Sequence, residues 1–308
     1  MVNITHKVAT LRKAVVTARV RTSSNDTIAA VEQRRVPKGD VFEFARAAGL
    51  LAIKKTSDVI PDCHPLPVEF ASITYSVSDL DIVVRVEVHT IYKTGVEVEA
   101  MHGASVAALV MYDMLKPIDK GVVIEQVKLE QKTGGKSDLE AGRMELKVAV
   151  VVCSDRVSKG ESQDTAGKFI TSALPKYGLE CLSYQVIPDE FSDIQQVTHD
   201  LVNQNFDLVL FTGGTGLSTR DLTPEAIKPL IDREIPGIME TARNYGQLRT
   251  QYAMLSRGVA GFVNKTLVLT LPGSQKAVEE YLSVLFPYIL HVFELKTGDP
   301  HNKSEKTS

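Results

Sequence analysis

The sequence predicts two unlike folds in tandem: an α+β unit with an antiparallel sheet and helices on one face over 1–138, then a three-layer α/β unit with a mostly parallel sheet over 146–297. Three observations carry this expectation. The chain has 308 residues, about twice the roughly 150 of one ordinary domain. A glycine-rich, charged stretch, QKTGGKSDLEAGRME at 131–145, offers little to bury and marks the boundary, with 139–145 as linker. Apolar periodicity also changes there, from alternating strands before it to short continuous apolar runs after it.

Taken in order, the first unit reads as a strand at 14–21, helices near 23–33 and 40–55, a strand pair at 67–78 and 82–93, a helix at 99–116 and a strand near 122–131. In the second of the paired strands Val84, Val86 and Val88 alternate with Arg85, Glu87 and His89, the pattern of a half-buried strand. This order of strands and helices suggests a ferredoxin-like arrangement. The second unit alternates strictly: LKVAVVVCSD, helix 164–177, CLSYQVIP, helix 191–204, DLVLFTGG, helices 223–232 and 236–249, LVLTLPG, helix 275–295. Residues 298–308 read as a tail.

Composition narrows the function classes. Hydrophobic residues are 44% of the chain and charged residues 24%, enough apolar material for two cores. A net charge of −3 argues against a sequence-independent grip on nucleic acid, which needs clustered cations. No apolar run approaches the roughly 20 residues that cross a bilayer, and MVNITHK lacks the apolar core of a signal peptide, so no membrane partner and a cytoplasmic location are expected. Cys63, Cys153 and Cys181 form no C-x-x-C pair, which excludes a zinc site of cysteine pairs.

Candidate chemistry lies in loops. IPDCHPLP at 60–67 sets Asp62, Cys63 and His64 side by side between prolines; adjacent residues of an extended segment point apart, so a rigid loop is preferred over a metal or nucleophile site. Lys38 precedes a capping box of Asp40 and Glu43. Glu97 and Glu99 share a side if their segment is extended and diverge if it is helical. Asp113 and Lys116 sit three apart, either a surface ion pair worth about 0.2–0.5 kcal/mol or an acid tuning a lysine base. In the second unit every strand ends in small, hydroxylated or acidic residues: Ser154-Asp155, Asp189-Glu190, TGGTG at 212–216 followed by Asp221, and Pro272-Gly273-Ser274. Glycines there let backbone N–H groups converge on an anion. Thr223 before Pro224 reads as a helix N-cap, and Ser274 as another.

VCSDRVSKGESQDTAG, VIPDE, TGGTGLSTRDLTPEA, LSRGVAG and LPGSQKAV together resemble the MogA/MoaB family of molybdenum cofactor biosynthesis across 146–297. The resemblance implies a domain that binds molybdopterin and, with ATP and Mg²⁺, adenylylates its terminal phosphate ahead of molybdate insertion. It implies Asp189 and Asp221 as catalytic and metal-holding acids. Ser154, Asp155, Gly213, Gly214, Thr215, Gly216, Ser256, Pro272, Gly273 and Ser274 would lie around phosphates and pterin.

RVPKGDVFEFARAAGLLAIKKTSDVIPDCHPL, KTGVEVEAMHGASVAALVMYDMLK and LEQKTGGKSD are similar to the MoaC family of cyclic pyranopterin monophosphate synthases over 1–138. That similarity implies Lys38 and Lys116 as acid/base lysines, Asp113 as the active-site acid supporting Lys116, and Glu97 as a further catalytic carboxylate. Asp62, Cys63, His64, Val98 and Glu99 would line the pocket, with Arg12 and Lys132 neutralising the phosphates of a GTP-derived pterin precursor. It also implies a homo-oligomer, hexameric or trimer-based, and no tightly bound prosthetic group. Two departures stand out: Asp62 where the family has leucine, and His102-Gly103 before Ala104-Ser105. The alternative is a non-catalytic pterin-binding or assembly protein.

Overall fold

The computed structural model describes residues 1–135 and 145–296; the linker residues 139–144 and the tail at 298–308 lie outside the described residues. The chain divides into two compact units, Met1–Leu139 and Glu140–Ser308.

In the first unit β1 (Thr10–Arg21), α1 (Asn25–Glu32), α2 (Val41–Lys54) and a short α3 (Thr56–Val59) precede β2 (Phe70–Ser78), β3 (Asp81–Tyr92), α4 (Glu97–Leu115) and β4 (Val123–Thr133). The sheet runs β2-β3-β1-β4, antiparallel throughout, with Ser78 opposite Asp81 at the β2–β3 turn. Ala14, Val16, Ala18 and Val20 of β1 and Val84, Val86 and Val88 of β3 are buried under the helices, while Arg19, Arg21 and Arg85 project from the opposite face. The helices therefore cover one face of the sheet.

Helix α4 starts at Glu97, two residues before the predicted start, and buries Ala100, Ala104, Ala107, Ala108, Met111 and Leu115. Its crossing with α2 is close. A Cβ on Gly103 would come 2.5 Å from Ile53 Cγ1 and 3.3 Å from the Gly49 carbonyl oxygen, so only glycine fits this approach. The His102-Gly103 departure thus has a packing reason at its second position.

The second unit comprises β5 (Lys147–Cys153), α5 (Asp155–Ser158), α6 (Ala166–Ala173), β6 (Glu180–Ile187), α7 (Phe191–Asn203), β7 (Leu208–Thr212), α8 (Thr223–Ile227), β8 (Arg233–Glu234), α9 (Pro236–Gln247), β9 (Ala260–Val263), β10 (Thr266–Leu271), α10 (Gln275–Leu285) and α11 (His291–Lys296). The sheet order is β6-β5-β7-β10-β9-β8, parallel through β10 and antiparallel beyond it. Helices α6, α9 and α10 pack on the face carrying Val148, Val150, Leu208 and Leu210. Helices α7 and α8 pack on the face carrying Ala149, Val151, Val209 and Phe211. Two covered faces explain the continuous apolar strands.

Prolines shorten three predicted helices, since proline lacks the N–H that continues the ladder. Helix α6 gives way to a 3₁₀ turn at Leu174–Tyr177 containing Pro175, α8 to one at Lys228–Leu230 containing Pro229, and the long helix expected at 275–295 breaks at Pro287. The sequence reading missed β8 and β9, because two and four residues are too few to show a period.

Overpacking a core costs about 1–3 kcal/mol. Gly103→Leu should therefore lower the urea midpoint of the first unit, read by far-ultraviolet circular dichroism of the full chain, and leave the second unit's transition in place. An unchanged first transition would show that α2 and α4 are not tightly apposed.

Candidate functional site

Each unit carries its own cluster of candidate residues. In the first, Asp113 near the end of α4 is gripped from both sides: Lys38 Nζ donates to Asp113 Oδ2 at 2.7 Å and to its carbonyl at 2.9 Å, and Lys116 Nζ lies 2.7 Å from Oδ1. Asp40 caps α2 by accepting from the Phe42 and Glu43 N–H groups, which fixes the start of that helix just after Lys38. The hydrogen bond from Lys116, then that from Lys38, holds the Asp113 carboxyl down to about 2. In return, Asp113 raises Lys116. A lysine base needs the opposite shift, so in the free chain the contact with Asp113 favours the charged form of Lys116.

The other predicted residues gather at the opposite end of α4. Because the segment is helical, Glu97 and Glu99 diverge. Glu97 faces Lys132 at 3.5 Å, on a cavity of about 210 Å³ also lined by Lys7, Arg12, Lys13 and Lys93. Glu99 is buried, accepts a hydrogen bond from the Cys63 thiol at 3.2 Å, and has Oε2 without a partner. Burial raises the Glu99 carboxyl and, with the Glu99 contact, pushes Cys63 up to about 11. Val98 is exposed on the same turn.

The loop 60–67 splays its three side chains as expected: Cys63 to Glu99, His64 Nε2 to the Val2 carbonyl at 2.8 Å, and Asp62 to the Met1 ammonium at 2.6 Å. Asp62 is thus exposed at the surface. From Glu97 to Asp113, sixteen residues at 1.5 Å each span about 24 Å, so a single chain does not assemble the predicted set in one place.

In the second unit the predicted residues do converge, at the carboxyl edge beside β5 and β7, where β6 lies to one side and β10 to the other. Asp155 and Asp189 interlock: Asp155 N–H donates to Asp189 Oδ2 at 3.1 Å and Asp189 N–H to Asp155 Oδ1 at 3.2 Å. Ser154 caps α5. The glycine turn follows β7 with Gly213 at φ 100° and Gly214 at φ 61°; a Cβ on Gly214 would strike Thr223 Oγ1. Gly273 packs on Gly213, and Thr212 Oγ1 donates to the Pro272 carbonyl at 2.7 Å, which joins the two loops. Asp221 Oδ2 accepts from Ser218 N–H at 2.8 Å beside Gly216, while Thr215 is buried.

Thr223 does not cap α8; Leu222 occupies that position. The fully buried Thr223 leaves Oγ1 unpartnered, as are Asp189 Oδ1 and Ser256 Oγ. Orphaned buried polar atoms at one edge mark a place that a ligand completes. Burial, then the neighbouring Asp155 and Asp221 charges, raise the Asp189 carboxyl. Ser256, Pro272 and Ser274, the last capping α10 as predicted, line a mostly apolar cavity of about 330 Å³ with Tyr252 and Tyr281.

Two arginines escaped the sequence reading. Arg257 donates to the carbonyls of Gly216 and Asp221, each at 2.6 Å, and pairs with Glu225, stapling the acidic loop to α8. Arg220 pairs with Asp155 and approaches Glu190 at 3.6 Å. A lone arginine in a loop has no periodicity to betray its partners; adjacency to Asp221 and Ser256 was the only available signal.

One unit with a cation-lined cavity and a lysine-clamped carboxylate, and a second with a glycine turn among carboxylates, define a two-domain protein with a candidate site in each. The MoaC family matches residues 1–135, and the family described as "Probable molybdopterin binding domain" matches 149–291. A "Molybdenum cofactor biosynthesis bifunctional protein" of Chlorobaculum tepidum is 36% identical over 98% of this chain and 96% of its own length, and one of Synechococcus elongatus 34% identical over 98% of both. "Cyclic pyranopterin monophosphate synthase 2" of Mycobacterium tuberculosis is 42% identical over 44% of this chain and 81% of its own. The chain belongs to the bifunctional molybdenum cofactor biosynthesis proteins, with a MoaC domain followed by a MogA/MoaB-type domain.

The lysine clamp has a pH signature. A carboxyl held near 2 takes up its proton only well below the pH at which the unfolded chain's does, so the clamp's contribution to stability is complete above about 4 and is lost progressively as pH falls from there through about 2. A ¹³C NMR titration should place the Asp113 midpoint near 2, and Lys116→Ala should raise it. A wild-type midpoint near 4, about the free aspartate value, would show the clamp does not form in solution.

Proposed function

We propose that the first unit is a lyase converting a GTP-derived cyclised nucleoside triphosphate to cyclic pyranopterin monophosphate with release of pyrophosphate. The second unit, in this reading, is a nucleotidyltransferase moving AMP from ATP to molybdopterin. The observation that carries the first assignment is Asp113 held between Lys38 and Lys116, two lysine amines on one fixed carboxylate. That set can donate protons and hold charge on a rearranging substrate, with Lys116 as acid. Lys132, Arg12 and neighbouring cations would hold the triphosphate. The strand order and the two helices on one face support a ferredoxin-like class for this unit.

The separation of about 24 Å along α4 supports a homo-oligomer, in which the Glu97 end of one copy meets the Lys116 end of another. Exposed Val98, Met101, Leu109 and Tyr112 form an apolar stripe along α4 that a second copy would cover.

For the second unit, the unpartnered Asp189 Oδ1 and Thr223 Oγ1 fit a Mg²⁺-and-triphosphate site. Among the described residues no group of three or more His, Cys, Asp or Glu side chains could hold an ion by itself. Asp189 and Asp221 would hold the metal; when bound, Mg²⁺ would neutralise triphosphate charge. The amides of the glycine turn would position phosphate, and the 330 Å³ cavity with its two tyrosines suits a flat ring. Among the described residues no helix is long and apolar enough to cross a membrane.

The purified chain should release pyrophosphate from the cyclised GTP intermediate and transfer AMP to molybdopterin. Lys116→Ala should abolish only the first reaction and Asp221→Ala only the second; a chain active in neither would favour a binding protein. If the first site is shared between copies, mixing inactive Glu97→Ala and Lys116→Ala proteins through a dissociation and reassociation step should restore pyrophosphate release. No recovery would place each site within one copy.

A further inference from the structure

We propose that Arg220 is an exchangeable cation of the second site: in the unliganded chain its guanidinium takes the divalent cation's place among the carboxylates, and it transfers to the nucleotide phosphates when the metal binds. This rests on reading the second unit as a Mg²⁺- and ATP-using site. Arg220 comes from the loop after β7, yet it pairs with Asp155 after β5 and reaches Glu190 after β6 at 3.6 Å. Asp155 is locked to Asp189 by two reciprocal bonds of 3.1 and 3.2 Å, so this one guanidinium balances charge on the loops after β5 and β6. A second observation points to a ligand there: the fully buried Thr223 leaves Oγ1 unpartnered against Gly214, beside the orphaned Asp189 Oδ1.

Arg220 is also built to move. Its N–H is anchored to Ser218 Oγ at 3.3 Å, next to Asp221, while its side chain is 61% exposed. Arg257, by contrast, is committed to two carbonyls and Glu225 and cannot swing without undoing the loop. A guanidinium does not leave by losing its proton, so a divalent cation arriving at Asp189, which is bonded to Asp155, meets its positive charge. Once the metal is seated, like charge repels Arg220, and phosphate oxygens offer its planar fork the best alternative partner.

The consequence is a pair of effects of opposite sign, which a merely structural ion pair would not produce. Mn²⁺ binding to the full chain without nucleotide, followed by electron paramagnetic resonance of the free ion, should tighten about tenfold in Arg220→Gln, because the competing charge is gone. Calorimetry of ATP binding in the presence of Mg²⁺ should show about a tenfold loss in the same variant, with partial recovery in Arg220→Lys. Unchanged or weaker Mn²⁺ binding in Arg220→Gln would overturn the proposal. If Mn²⁺ binding tightens while the wild-type chain transfers no AMP, the adenylylation reading fails and the exchange stands. If AMP transfer is present and Mn²⁺ binding does not tighten, the reverse holds.

Discussion

The close seating of α4 on its sheet is the constraint on which the first unit depends. Ala100, Ala104, Ala107 and Ala108 are fully buried, and Gly103 lets α2 cross at near-backbone distance. Alanines bury little area each, so Met111 and Leu115 supply most of the apolar anchoring at the far end. A helix held this tightly presents its two ends as separate chemical environments. The positive end faces the cation-lined cavity, and the negative end hosts Lys38 and Lys116, whose charges offset both Asp113 and the helix dipole.

The second unit solves a different problem, keeping carboxylates close together. Asp155, Asp189 and Asp221 are each anchored by, or to, a backbone N–H, which fixes their positions, and Asp155 is also paired with Arg220. Burial and mutual repulsion then raise Asp189. Glycines at 214 and 216 keep the space beside Asp189 and Asp221 clear of side chains. The two arginines divide the remaining work: Arg257 fixes the loop, and Arg220 balances the charge from an exposed position.

Legibility followed the reach of each interaction. Strand alternation at Val84, Val86 and Val88 and the continuous runs around β5, β7 and β10 were readable because burial is imposed residue by residue along one element. Proline breaks at 175, 229 and 287 were visible as letters, yet a window of apolar periodicity ran through them. Thr223 looked like a cap from its type and its proline, but capping depends on backbone angles, and Leu222 holds that position. The glycine turn, the acids around it and Ser274 were identifiable because their residue types are tied to local backbone geometry; Arg220 and Arg257 were not, because their partners lie up to tens of residues away.

By itself the sequence determined two domains, their unlike sheets and the residue types each site uses, since composition, periodicity and local motifs all act over a few residues. Only the tertiary structure decided that Glu97 and Asp113 stand at opposite ends of one rigid helix, and that Asp62 faces a terminal ammonium. It alone showed that Lys116 is raised by its neighbour and that an arginine sits among the second site's carboxylates. Those are distances between residues far apart in the chain or set by helix geometry, and charge interactions depend on such distances rather than on order in the sequence.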